Sequence, residues 1–220
     1  MKDRYIGIAQ NTYDISSAIS LIKKVFYKDE SSKEFLFPSE SIRFKNIIII
    51  KENSLIVAAC LIHNRTMYFK KKSIPSSFLS FICVDKSHRD RGISKLLMDF
   101  AIQSCKDAGK KVCLVIARKK ADYFYTKFLF FGFSNYPKIK IKSNLLFCEK
   151  KFEFNNLSLS SLNKIQAIYN KVYNELSGSF FRSYNDWEFI IEKGLSIDVN
   201  LKTIADQNGN LIGYVCYKKG

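Results

Sequence analysis

The chain has 220 residues, 47% of them hydrophobic and 15% aromatic, which is enough apolar material for a folded core and excludes wholesale disorder. Its formal net charge of +16 is scattered along the whole length, in "YFKKKSIP", "ARKK" and "PKIKIKS" among others, so it describes solvated faces and argues against a nucleic-acid groove. The longest apolar run, "LIVAACLI", is too short to cross a bilayer and the N-terminus lacks an apolar signal core, so no membrane insertion is expected.

In chain order, "RYIGIAQ" reads as a strand, and "DISSAISLIKKVFYK" places Ile15, Ala18, Ile19, Ile22, Val25 and Phe26 on one helical face with Asp14 as its N-cap. "DESSKEFLFPSES" has room for a short helix before Pro38. "NIIIIKENSLIVAACLIHNRTMYF" is a hairpin around a Glu-Asn-Ser turn, and "FLSFICV" (78–84) is a further strand, apolar enough to be covered on both faces. A helix is predicted over 92–108, where Leu96, Leu97, Phe100, Ala101, Cys105 and Ala108 form the stripe and Gly109 supplies the stop. "KVCLVIA" is a buried strand, "ADYFYTKFLF" a helix, and "GFSNYPKIKIKS" and "NLLFCEKKFEF" two more strands. The order is that of a mixed α/β domain with helices packed on one sheet.

After about residue 156 the pattern restarts. Leu162, Ile165, Tyr169, Val172 and Leu176 mark a helix that ends at Gly178; a second helix opens at Asn185 with Glu188 three residues on and stops at Gly194. "NLKTIADQNGNLIGYVCYKKG" is a hairpin with an Asn-Gly turn. The expected organisation is therefore a first domain over 1–154 and a partial second unit over 155–220, either a degenerate half-repeat or an unrelated cap. That unit would wall a binding site of the first domain or cover a sheet edge in a homo-oligomer.

Cys60, Cys83, Cys105, Cys113, Cys148 and Cys216 form no CxxC pair and sit in apolar runs, the pattern of reduced buried thiols in a cytoplasmic protein. His63 and His88, the two histidines, lack ligand spacing, so no metal site is expected. His88 reads as a solvated loop residue.

The segment "SHRDRGISKLL" follows a strand and opens a helix. The first amides of such a helix carry partial positive charge without intrahelical partners and bind phosphate oxygens well. Gly92 lets the backbone approach closely, Ser94 adds a hydroxyl, and Arg89 and Arg91 can pair an anion, so the ligand that fits is a diphosphate; the bland alternative is an ordinary solvated cap.

Val84 through Ser94, "VDKSHRDRGIS", resembles the acyl-CoA pyrophosphate loop of the GNAT superfamily of N-acyltransferases, and "ADYFYTK" from Ala121 resembles that family's Ala-x-x-x-Tyr helix. The two motifs fall in the right order, separated by a helix and a strand. The resemblance covers most of 1–150; "GSFFRSYNDW" and "NGNLIGYVCY" are similar, more weakly, to the second module of the tandem enhanced-intracellular-survival type. It implies a GNAT-like mixed, mostly antiparallel sheet flanked by helices plus a partial second GNAT-like unit. It also implies acetyl-CoA as cosubstrate and acetyl transfer to a primary amine of a small molecule, peptide or protein. Cys83 and Val84 would offer backbone amides to the thioester and pantetheine, Arg89, Asp90, Arg91, Gly92, Ile93 and Ser94 would cradle the pyrophosphate, and Arg118 stands where the family commonly has Asn. Tyr125 would protonate the departing sulfur, with Tyr123 as fallback; its bland role is an aromatic on the core face beside Phe124 and Phe128. "GF" arrives at 132–133, later than the family pattern, as a three-residue insertion would produce. No carboxylate lies in "FLSFICV", which leaves Ser80 through a water, Asp85 or the carboxylate of Gly220 as the base, or else a non-catalytic acyl-CoA-binding or regulatory module.

Overall fold

The computed structural model describes residues 3–26, 47–117, 122–132, 152–196 and 200–217. The chain divides into two compact units, Met1–Phe130 and Phe131–Gly220. The predicted short helix before Pro38, the motif residues Arg118 and Ala121, Cys148, Gly220 and nearly all of the two strands predicted after residue 132 lie outside the described residues.

In the first unit a sheet of order β1-β2-β3-β4-β5 is built from β1 (Arg4–Ile8), β2 (Ile47–Glu52), β3 (Leu55–Phe69), β4 (Lys72–Val84) and β5 (Val112–Val115). Neighbouring strands are antiparallel except β4 and β5, which run parallel through the crossover helix α2 (Ile93–Asp107). The run Ile47–Ile50 shows no alternation because both of its faces are covered. Ile47 and Ile49 pack under helix α1 (Thr12–Phe26) with Ala18, Leu21 and Ile22, whereas Ile48 and Ile50 meet Ile93, Leu97, Met98 and Ala101 of α2.

Two local features differ from the sequence expectations. Asn11, not Asp14, caps α1: its Oδ1 accepts the Asp14 amide at 2.9 Å, while Asp14 is buried, accepts the Gln10 amide at 3.0 Å and pairs with Lys51 at 2.7 Å. Strand β4 starts at Lys72 rather than Phe78, because Lys70 and Lys71 both adopt positive φ and close a two-residue hairpin turn that their side chains do not advertise. Pro75 is tolerated there since the rungs to β5 begin only at Ser76. The helix stop at Gly109 is as expected, with φ +69 and its amide bonded to Lys106 O at 2.9 Å.

In the second unit β6 (Glu153–Asn156), β7 (Asn200–Ala205) and β8 (Leu211–Tyr217) form an antiparallel sheet carrying α4 (Leu162–Tyr173) and α5 (Tyr184–Ser196). The strand read from "NLLFCEKKFEF" as part of the first sheet instead pairs, in its described portion, with β7 through Glu153↔Ala205 to Asn156↔Lys202. Its four residues are exposed, so it is an edge strand held by the ladder and not by packing. Helix α4 ends at Tyr173, earlier than predicted; Val172 within it and Leu176 beyond it are both exposed, and Cys216 is exposed as well. Trp187 fills the core, edge-on to Tyr169 and Tyr214 at 5.4 and 5.3 Å, with Arg182 over its ring.

The N-cap of α5 is Ser183 rather than Asn185: its amide and hydroxyl donate to Asp186 Oδ2, both at 2.8 Å, and its Oγ accepts the Asp186 amide at 3.2 Å. Ser183→Ala is expected to cost α5 about 1 kcal/mol, seen as roughly fivefold faster hydrogen exchange of its amides where they open locally.

Candidate active site

The loop between β4 and α2 is held at its base and bare at its tip. The Asp85 amide donates to Val57 O at 2.8 Å, anchoring the loop to β3. The Asp85 carboxylate accepts Lys24 Nζ at 2.7 Å, Ser87 Oγ at 2.7 Å and Ser87 N at 3.0 Å, and these bonds hold it well below the usual carboxylate range. That removes Asp85 as a general base: its lone pairs are engaged and its basicity is spent.

His88 is not the solvated residue the sequence implied. Its side chain is 17% exposed, with Nδ1 2.9 Å from Ser87 Oγ and the ring 3.7 Å from Asp85 and 4.0 Å from Glu52, whose carboxylate is bonded by Arg4 Nε at 3.0 Å. The histidine thus lies between the base of the loop and Glu52 at the end of β2.

Past His88 the chain turns outward. Arg89, Asp90, Arg91 and Gly92 are exposed; Arg89 Nε donates to Val84 O at 3.3 Å, which fixes the stem of that side chain beside the strand end. Asp90 and Gly92 take φ of +61 and +72, and Gly92 is the N-cap residue of α2, where no side chain caps the helix. A Cβ built on Gly92 would meet nothing within 4 Å, so the turn is open on the side of this residue. Ile93 is buried in the core and can offer only its amide, whereas Ser94 is half-buried at the helix mouth. Uncapped amides, positive φ at alternate residues and two arginines meet at this turn, an arrangement whose local potential favours an anion.

Next to the loop the sheet opens. The β4–β5 rungs run from Ser76↔Val112 to Leu79↔Val115 and stop, so among the described residues 80–84 of β4 have no β5 partner. Beyond that point β4 bulges: Phe81 has φ +52, and two residues, Phe81 and Ile82, oppose Cys60 alone between the pairs Leu61↔Ser80 and Ala59↔Cys83. The Cys83 thiol is buried and burial pushes it up to about 12, so Cys83 is chemically inert and brings only its backbone to the opening.

Helix α3 (Asp122–Thr126) is shorter than predicted, because Leu129 turns the chain at φ +62. Tyr125 is half-buried against the α2 side of the core, edge-on to Phe124 at 5.2 Å and to Phe130 at 6.2 Å. Burial raises its phenol above the ordinary value, which keeps it protonated at neutral pH. Tyr123 is turned away, 74% exposed beneath Lys127 Nζ at 4.4 Å from the ring centroid.

The register also brings together a pair that spacing did not show: His63 Nε2 on β3 lies 2.8 Å from Ser80 Oγ on β4. Seventeen residues separate them, and only the hairpin register, which pairs His63 with Phe78, makes them neighbours. Among the described residues no group of three or more His, Cys, Asp or Glu is placed to hold a metal, and no helix is long and apolar enough to cross a membrane.

Comparison with solved structures gives the same architecture across both units. A GCN5-related N-acetyltransferase from Anabaena variabilis matches with TM-score 0.72 at 12% identity over 97% of this chain and 54% of its own. Another from Kribbella flavida matches with 0.69 at 12% over 100% and 55%. Eis1 from Mycobacterium abscessus matches with 0.67 at 14% over 97% and 52%. The chain thus spans about half the length of these structures, and at such identities the likeness is one of fold: a mixed, mostly antiparallel sheet flanked by helices, followed by a partial second unit. No curated protein matches it in sequence. The model of the acetyltransferase (GNAT) domain, however, matches residues 8–130, more than half of the chain and the whole stretch from α1 through Tyr125, and on that match the protein belongs to the GNAT acetyltransferase family.

Proposed function

We propose that the chain transfers an acetyl group from acetyl-CoA to a primary amine of a small molecule, peptide or protein. The observation that carries this reading is the uncapped N-terminus of α2 behind Gly92, following a stretch of β4 that, among the described residues, has no β5 partner after Leu79. In this reading the amides from Asp90 to Ser94 and the guanidinium groups of Arg89 and Arg91 hold the pyrophosphate. The unpaired edge of β4 at Cys83 and Val84 takes the pantetheine arm and polarises the thioester carbonyl. Arg118 is assigned to the same cofactor. Tyr125 gives its proton to the sulfur as the C–S bond breaks. The cytoplasm, where thiols stay reduced, is the compartment that suits its cysteines.

One observation favours a second reading, a non-catalytic acyl-CoA-binding module: β4 has no carboxylate and Asp85 is locked by Lys24 and Ser87. The two separate in one assay. The protein is incubated with acetyl-CoA and a panel of polyamines, amino sugars and lysine peptides while free thiol is followed. Amine-dependent thiol release is expected. Thermal stabilisation by acetyl-CoA with no release would establish the binding module, and neither effect would sink both.

A further inference from the structure

We propose that Ser80 takes the proton of the attacking amine and that His63 receives the Ser80 proton in turn, so that this pair supplies the base that no carboxylate provides. The assignment rests on the acetyltransferase reading above and adds to it the route by which the acceptor is deprotonated.

Position is the first argument. Ser80 is the β4 residue immediately after the last β5 rung, Leu79↔Val115, and immediately before the bulge at Phe81. It therefore sits where the sheet opens, next to the unpaired edge assigned to the thioester. Alternation along the strands and the pairing Leu61↔Ser80 put Ser80 and His63 on the face that carries Leu61, opposite the face on which Leu79 meets α2, and the bulge returns Phe81 to that same face. Both residues are half-buried, enough to fix their rotamers and still leave a side open to an acceptor.

Chemistry is the second. With Nε2 2.8 Å from Oγ, an imidazole unprotonated at Nε2 accepts the Ser80 hydroxyl, which leaves the oxygen lone pairs for an amine N–H. Burial, and then the charge of Arg65, lower His63 to about 4, so the ring is neutral at physiological pH; the same burial disfavours the imidazolium, so His63 holds the proton only in passing before solvent takes it. From β4 the ring meets Phe78, at 6.0 Å between centroids, and Ser80, neither of which titrates in this range. The balance closes as follows. The nitrogen lone pair forms the C–N bond, the amine proton passes to Ser80 Oγ, and the hydroxyl proton passes to His63 Nε2. The C–S electron pair leaves with sulfur, which takes the Tyr125 proton. Imidazolium then loses its proton to solvent and the phenolate regains one.

His63 acts through Ser80, so the test must separate relay from scaffolding. His63→Gln keeps a hydrogen-bonding side chain on Ser80 but cannot carry the proton, and Ser80→Ala removes the hydroxyl. With glycinamide and phenethylamine as probes, each is expected to lower kcat about ten- to a hundredfold without moving the acetyl-CoA dissociation constant. The double variant should be no worse than either single one, because one relay is broken once. The ratio of wild-type to His63→Gln turnover should hold from neutral pH downward and fall toward one as His63 protonates near 4. Additive losses, or a ratio that ignores pH, would overturn the relay. A second measurement stands apart from turnover: imidazole nitrogen shifts at neutral pH should show the proton on Nδ1 of His63. A proton on Nε2 instead overturns the relay alone, even if amines are acetylated, whereas a wild-type protein that binds acetyl-CoA but acetylates no amine overturns the parent reading and the relay with it.

Discussion

Gly92→Asp raises the acetyl-CoA dissociation constant at least about a hundredfold, equivalent to about 2.7 kcal/mol of binding free energy, while the fold survives. A Cβ at Gly92 meets no protein atom within 4 Å, so the folded state is burdened mainly by the left-handed backbone at φ +72, at about 1–2 kcal/mol. The carboxylate lands where the cradle needs positive potential, beside helix amides that no side chain caps. Calorimetric titration with acetyl-CoA measures the effect. Gly92→Ala is the control that carries the backbone strain without the charge, and it should weaken binding by a smaller factor. Adding Arg89→Ala to Gly92→Asp weakens binding further. Wild-type affinity in Gly92→Asp would place the cofactor elsewhere.

Tyr125→Phe lowers kcat by about a hundred- to a thousandfold and leaves acetyl-CoA affinity nearly unchanged, because only the phenolic proton is lost. The ring contacts with Phe124 and Phe130 are retained by phenylalanine, so stability should move little. The pKa shift adds a direction in pH. Since burial raises the phenol above its ordinary value, the acid form persists to higher pH than in a free tyrosine. The wild-type rate should therefore hold through mildly alkaline conditions and fall only as the phenol ionises, a limb the variant lacks. Undiminished turnover in Tyr125→Phe would return Tyr125 to a packing role, which its place in the aromatic cluster already fulfils.

These two predictions concern residues whose motifs were readable from spacing, but the geometry behind them was not. Asp85 illustrates the difference. As a carboxylate at a strand end it was a reasonable base, yet Lys24, sixty-one positions away in sequence, engages it at 2.7 Å. His88 looked solvated because its neighbours in sequence are polar, while the residues that flank it in space, Glu52 and Asp85, come from the sheet and the loop base.

Local and periodic information sufficed for much of this protein: the hairpin of β2 and β3 around its Glu-Asn-Ser turn, the α2 stripe with its Gly109 stop, the helix-helix-hairpin order of the second unit, and the Arg-Gly turn that opens α2. Each depends on interactions within a few residues or on a repeat that one element's burial imposes. Long-range register decided the rest. The end of the β4–β5 ladder at Leu79, the bulge at Phe81, the pairing of β6 with β7 and the meeting of His63 with Ser80 all depend on which strand lies alongside which. Strand partners are chosen by the packing of whole faces, and a shift of one rung would turn His63 away from Ser80 without changing a single letter of either strand.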